Sequence, residues 1–134
     1  MKIVVLKFGG TSVGTIEKIK KVTDIIIEHK KKKNKVIVVS SAMSGVTNDL
    51  IKKSKQISDN FIDSEYDVLV SSGEQVACSL IAGRLNHKGF KSRSWLGWQI
   101  PIFTNGPYTN SRIQQVNKNK LLRFLKEGGI PIIT

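Results

Sequence analysis

Lys2-Ile3-Val4-Val5-Leu6-Lys7 and Lys35-Val36-Ile37-Val38-Val39-Ser40 are two short β-branched apolar runs, and the stretch they enclose decides the fold. The first run leads into Gly9-Gly10, so it is expected to be a buried strand feeding a tight turn. Thr15 can cap a following helix, with Glu17 in its first turn. Ile16, Ile19, Val22 and Ile26 then recur at helical spacing, which predicts an amphipathic helix ending near Asn34. Strand, helix of about 18 residues and strand make a right-handed βαβ unit, whose two strands must be parallel.

Outward from that unit, the polar loop Ser40-Ser41-Ala42-Met43-Ser44-Gly45 precedes a short helix that Thr47 can cap, with Leu50, Ile51, Ser54 and Ile57 along one side. Residues 58–65 are acidic and turn-like. Ser64 and Asp67 match the capping-box spacing, so a long helix is expected from Tyr66 to Lys88, ended by Gly89. It is apolar all round and should be largely buried. Further strands are expected at 91–96 and over Ile102-Phe103-Thr104. Asn117 can cap a last helix carrying Leu121, Leu122 and Leu125, which stops at Gly128-Gly129 before Ile130-Pro131-Ile132-Ile133-Thr134. No repeat, low-complexity tract or linker interrupts residues 1–134. They are expected to form one α/β unit, a three-layer arrangement with a mostly parallel sheet between helices. The final apolar run stops without a turn or polar tail, so the sequence reads as part of a longer chain.

Composition narrows the function classes. The 134 residues carry 22 Lys+Arg against 10 Asp+Glu, a formal net charge of +12. A hydrophobic fraction of 40% excludes wholesale disorder. No apolar run approaches the roughly 20 residues that span a bilayer, and the opening run is too short for a signal peptide, so a cytoplasmic location without membrane contact is expected. One cysteine excludes an intramolecular disulfide framework, and two scattered histidines leave no structural zinc cluster. The positive charge raises nucleic-acid binding as an alternative. Against it, eighteen of the basic residues are Lys and four are Arg (Arg84, Arg93, Arg112, Arg123), whereas phosphate and base recognition favours the Arg fork. The dense run Lys30 to Lys33 with Lys35 falls where a helix ends, and cations there complement the helix dipole.

Three segments bear chemistry. Lys7-Phe8-Gly9-Gly10-Thr11-Ser12 sets a cation at a strand end, then two residues without Cβ, then two hydroxyls. Such a loop is either a plain strand-to-helix turn or a nest of backbone N–H groups around a phosphate with Lys7 across it. Neither the Walker A pattern nor G-x-G-x-x-G is present. Ser41 and Thr47 are turn or cap residues, or ligands, or both. Glu74, set in a helix among Val70, Val76, Ala77 and Leu80, needs a partner, and a substrate ammonium or a protein cation would serve equally. Cys78, one turn further, reads as a small core residue. His29 and His87 read as surface residues near helix C-termini. Trp95 and Trp98 flank a glycine turn and either shape a substrate pocket or pack in the core, the latter being expected. No metal ligand can be assigned.

Lys7-Phe8-Gly9-Gly10-Thr11-Ser12-Val13 resembles the N-terminal signature of the aspartate kinases, within the amino-acid kinase superfamily. In the same order, Val39-Ser40-Ser41-Ala42-Met43 with Gly45-Val46-Thr47-Asn48 resembles that family's second glycine- and hydroxyl-rich loop, and Ser72-Gly73-Glu74 its Ser/Ala-Gly-Glu motif. Gly97-Trp98-Gln99 with Thr104-Asn105 is a looser match. The resemblance covers the whole chain. It implies the N-terminal, substrate-binding half of a carbamate kinase-like fold and ATP-dependent phosphorylation of the L-aspartate side-chain carboxylate to 4-phospho-L-aspartate, the first step toward lysine, threonine and methionine. It further implies Mg2+ with the ATP, Lys7 as the catalytic cation, Lys7 through Ser12 around the nucleotide phosphates, and Ser41, Thr47 and Glu74 on the amino acid, Glu74 pairing with its ammonium. Oligomerisation or regulatory-subunit contacts are implied for the longer enzyme. The family's nucleotide half, its Arg-Gly-Gly-Ser-Asp segment and its regulatory domains do not occur in these residues, so the chain alone is expected to have little kinase activity. A glutamate- or acetylglutamate-type kinase would share the glycine loop and is the alternative within the superfamily; the segments around Ser41 to Thr47 and Ser72 to Glu74 count against it.

Overall fold

The computed structural model describes residues 2–134. Its elements are β1 (Ile3–Phe8), α1 (Ile16–Lys31), β2 (Lys35–Ser40), α2 (Val46–Ile57), α3 (Asp63–His87), β3 (Ser92–Trp95), β4 (Ile102–Asn105), β5 (Arg112–Val116), α4 (Asn119–Lys126) and β6 (Ile130–Ile133). Four strands form a parallel sheet in the order β1-β2-β6-β3. The expected βαβ unit is there, with Ile3 opposite Lys35 and Phe8 opposite Ser40.

Side-chain alternation along the strands divides the core into two layers. Val36 and Val38 of β2 and Ile130 and Ile132 of β6 meet Ile19, Val22 and Ile26 of α1 and Cys78, Ile81 and Leu85 of α3. Ile37 and Ile133 point the other way, toward Trp95, Ile100 and Leu121, where α4 covers the sheet. Helices on both faces of a parallel sheet are the expected three-layer arrangement. Each fully buried Ile or Leu, such as Ile26, Ile81 or Leu85, stabilises by about 1.5–3 kcal/mol. At the edge, β1 turns Leu6 and Phe8 inward and leaves Ile3, Val5 and Lys7 exposed. No helix among the described residues is long and apolar enough to cross a membrane.

Thr15 caps α1 as expected, its hydroxyl accepting from the Lys18 N–H at 3.2 Å. The helix stops at Lys31, short of Asn34, because Lys33 takes φ 60°. His29 is half-buried rather than on the surface. The two longer departures concern α3 and the segment after it. The helix starts at Asp63, with Ile62 at the cap and no side-chain bond there, so Ser64 and Asp67 form no capping box. Asp63 and Glu65 instead complement the dipole of the first turn. The helix is also not largely buried. Gly73, Ala77, Cys78, Ile81, Ala82 and Leu85 face inward while Val68, Val76 and Leu80 are exposed, since α1, α2 and the sheet leave part of the helix uncovered.

Beyond β3, an antiparallel hairpin of β4 and β5 occupies a stretch in which only Ile102 to Thr104 suggested a strand. All five residues of β5 are exposed, so no alternation marks it in the sequence. Its loop uses Gly106 at φ 94° and Thr109 at φ 61°, and the Asn117 N–H closes the base on the Pro101 carbonyl at 2.9 Å. Asn117 is not the cap of α4; Lys118 takes that position, and the Asn117 side chain accepts from the Asn119 N–H at 3.2 Å. Trp95 packs in the core, but Trp98 is exposed.

Candidate active site

The three chemistry-bearing segments meet at the C-terminal edge of the parallel sheet, the side on which ligands of open α/β folds bind. Register brings them there: Lys7 lies opposite Val39 and Phe8 opposite Ser40, so the glycine loop and the Ser41 loop leave the sheet side by side. The Ser41 N–H donates to the Phe8 carbonyl at 3.0 Å.

Ala42 is the hub. Its N–H donates to Oε1 of Glu74 at 3.3 Å, and its carbonyl oxygen lies 3.0 Å from where a Cβ on Gly10 would be. Its own Cβ lies 3.0 Å from where one on Gly73 would be. Gly10 and Gly73 thus permit close approach, the first of loop to loop and the second of helix to loop. Gly9 has nothing within 4 Å of its missing Cβ, so the space beside it is open.

Inside the glycine loop, the Ser12 and Val13 amides both return to the Gly9 carbonyl, at 2.9 and 3.3 Å. The amides of Gly9, Gly10 and Thr11 donate to no other group among the described residues. Three successive amides without a partner follow the exposed Lys7 in the chain, and together they concentrate positive potential on this loop. A cavity of ≈ 270 Å³ adjoins it, lined by Thr11, Ser12, Lys18 and Lys21 among others.

Thr47 does not cap α2. Gly45 takes the cap position at φ 83°, a left-handed conformation in which glycine carries no steric cost, and the Asp49 N–H closes the first turn on its carbonyl at 3.0 Å. The Thr47 and Ser41 hydroxyls consequently have no hydrogen-bond partner among the described residues, and both are half-buried. Glu74 is half-buried as well, and its partner is neither of the two expected. It is the Ala42 amide, and among the described residues no Lys or Arg nitrogen lies within 4.0 Å of its carboxylate. The carboxylate keeps its charge free for a cation. Burial, then the Glu74 charge, pushes the Cys78 thiol up to about 12 against a smaller opposing bond from the Ser40 backbone, so it is a core residue and no nucleophile.

A larger cleft of ≈ 730 Å³ runs from Gln75, next to Glu74, along α3 to Trp98 and the β4–β5 hairpin, with Thr134 at its wall. Trp98 therefore lines a cavity rather than the core. Ala42 and the hairpin wall escaped sequence reasoning: a backbone amide carries no side-chain signal, and the hairpin has no buried face. Among the described residues, no group of three His, Cys, Asp or Glu side chains converges to hold a metal ion.

The profile of the amino acid kinase family matches residues 2–134. An aspartokinase of Geobacillus stearothermophilus is 45% identical over 133 residues, 99% of this chain and 33% of the relative; the chain spans about a third of the length of the curated relatives it matches. The crystal structure of aspartate kinase from Synechocystis superposes with a TM-score of 0.85 at 33% identity, covering 98% of this chain and 21% of that one. E. coli aspartokinase III, solved in complex with aspartate and ADP, shares the fold at a TM-score of 0.80 and 19% identity, covering 99% and 40%.

Proposed function

The chain belongs to the amino acid kinase family, and on that premise we propose that it supplies the phosphate loop and amino-acid pocket of an aspartate kinase. In the reaction a side-chain carboxylate oxygen of L-aspartate attacks the γ-phosphorus of ATP, a P–O bond forms, the bond to the ADP oxygen breaks, and 4-phospho-L-aspartate leaves. The observation that carries this reading is the convergence on Ala42, which holds a cationic, donor-rich loop and an unpaired carboxylate on adjoining segments.

Phosphoryl transfer spreads negative charge over the moving group, and catalysis is mainly positioning with electrostatic stabilisation. Lys7 is the cation for that charge, and the Gly9, Gly10 and Thr11 amides are donors to the phosphate oxygens, with Gly9 open to their approach. Phe8 and Ser12 frame the loop. Glu74 pairs with the substrate ammonium while Ala42 fixes its carboxylate, and the free hydroxyls of Ser41 and Thr47 are donors toward the amino acid. Mg2+, which this chemistry uses to neutralise nucleotide phosphates, finds no set of three His, Cys, Asp or Glu side chains to hold it among the described residues.

Calorimetric titration of the chain with L-aspartate tests the assignment. Glu74→Gln retains an oxygen for the Ala42 N–H but loses the charge, so affinity should fall at least tenfold. Equal binding by the variant, or equal affinity for L-glutamate, refutes the aspartate pocket.

A further inference from the structure

At the edge of the sheet opposite Lys7, a cleft of ≈ 440 Å³ opens between β3 and α4. Its floor is aromatic: the Trp95 and Phe124 rings meet edge to face with centroids 5.6 Å apart. Arg93, on the same face of β3 as Trp95, lays its guanidinium over the indole, 4.7 Å from the ring centroid. Lys120 and Arg123, one turn apart on α4, reach the same space. The acid lining it, Glu127, is already engaged, with its Oε2 2.7 Å from Lys91 Nζ. Among the described residues no carboxylate lies within 4.0 Å of Arg93, Lys120 or Arg123.

The indole Nε1–H of Trp95 is the one buried side-chain polar atom without a hydrogen-bond partner among the described residues. That atom is closed to solvent, so what the indole offers the cleft is its face, with Arg93 over it, and not its N–H. Arg93 and Lys120 meet no carboxylate in the cleft, and Arg123 shares with Lys91 the one acid that lines it, Glu127; such an excess of cations asks for a compact anion with several acceptor oxygens.

We propose that this cleft is a second anion site, for a small phosphate-bearing molecule. Two guanidinium forks match phosphate oxygens in pairs, and stacking on Trp95 holds one of them oriented in advance. The volume falls in the range of small-molecule pockets. The site is separate from the glycine loop, since β1 and β3 are opposite edges of a four-stranded sheet, three strand spacings or about 14 Å apart. It does not rest on the kinase assignment.

The test uses the chain with Trp98→Phe, which leaves Trp95 as its sole indole at little risk to the fold because Trp98 is exposed. Orthophosphate and inorganic pyrophosphate are titrated at constant ionic strength, with calorimetry beside Trp95 fluorescence. Saturable binding is expected, weakened at least tenfold by Arg93→Gln or Arg123→Gln, partly retained by Arg93→Lys and unmoved by Lys7→Ala. Circular dichroism checks that each variant is folded. A response that follows ionic strength alone overturns the proposal, as does saturable binding indifferent to both arginine variants. Binding of a single-stranded oligonucleotide without a response to pyrophosphate assigns the patch to nucleic acid and overturns it too.

Discussion

Replacing Gly73 by alanine should destabilise the chain relative to the same change at Gly83, although both glycines lie in α3. A Cβ at position 73 would stand 3.0 Å from the Ala42 Cβ, 3.1 Å from Val46 Cγ1 and 3.5 Å from Leu50 Cδ1. Carbon atoms pack best at about 3.5–4.0 Å, so two of those contacts are about half an ångström too close. Overpacking of this kind costs about 1–3 kcal/mol, while alanine's better helix propensity returns about 0.8–1.0. The net change at 73 is therefore between neutral and a loss of about 2 kcal/mol. At Gly83 nothing lies within 4 Å, so the propensity gain of about 1 kcal/mol stands alone. Urea unfolding followed by circular dichroism measures both. The two variants should differ by about 1–3 kcal/mol, with Gly83→Ala the more stable. Gly73→Ala should also push α3 off the loop, lengthen the 3.3 Å bond from Ala42 to Glu74 and weaken aspartate binding. Equal stabilisation by the two changes would refute the close approach of helix and loop on which the candidate site depends.

Asn86→Ala removes a side chain that donates to the Ser92 carbonyl at 3.0 Å and accepts from the Ser92 N–H at 2.9 Å, joining the end of α3 to β3. The loss should be about 1–3 kcal/mol by thermal unfolding, with aspartate binding unchanged. Cys78 should resist thiol reagents until the chain unfolds. Its folded pKa of about 12 lies above the ordinary 9.0, so the protonated thiol contributes stability that is whole below about pH 9 and is lost as pH rises toward 12. Unfolding free energies of the protein and of Cys78→Ala, compared across that window, should show the steeper alkaline decline in the protein.

Much of the architecture was legible because strand runs and helix periodicity record burial. Ile16, Ile19, Val22 and Ile26 marked α1, and β2, buried between two layers, read as an unbroken apolar run. The start of α3 and the whole of β5 were not legible. Ile62 caps without a side-chain bond, and every residue of β5 faces solvent, so neither carries a chemical mark. Trp98, read as core or pocket with the core preferred, lines a cavity, because an aromatic residue beside a turn looks alike in either place.

The candidate site divides along the same line. Sequence by itself placed Lys7, Gly9, Gly10, Ser41, Thr47 and Glu74 in three ordered segments, since residue type and order are properties of the chain. Only the tertiary structure decided that Gly10 and Gly73 clear the way for Ala42, that Gly45 frees Thr47 from capping, and that Glu74 takes a backbone amide and leaves its charge unpaired. The strand order that inserts β6 beside β2, and the cleft between β3 and α4, likewise arise from packing distant residues. A backbone N–H has the same formula at every position, and what it can bind depends on what the fold sets in front of it.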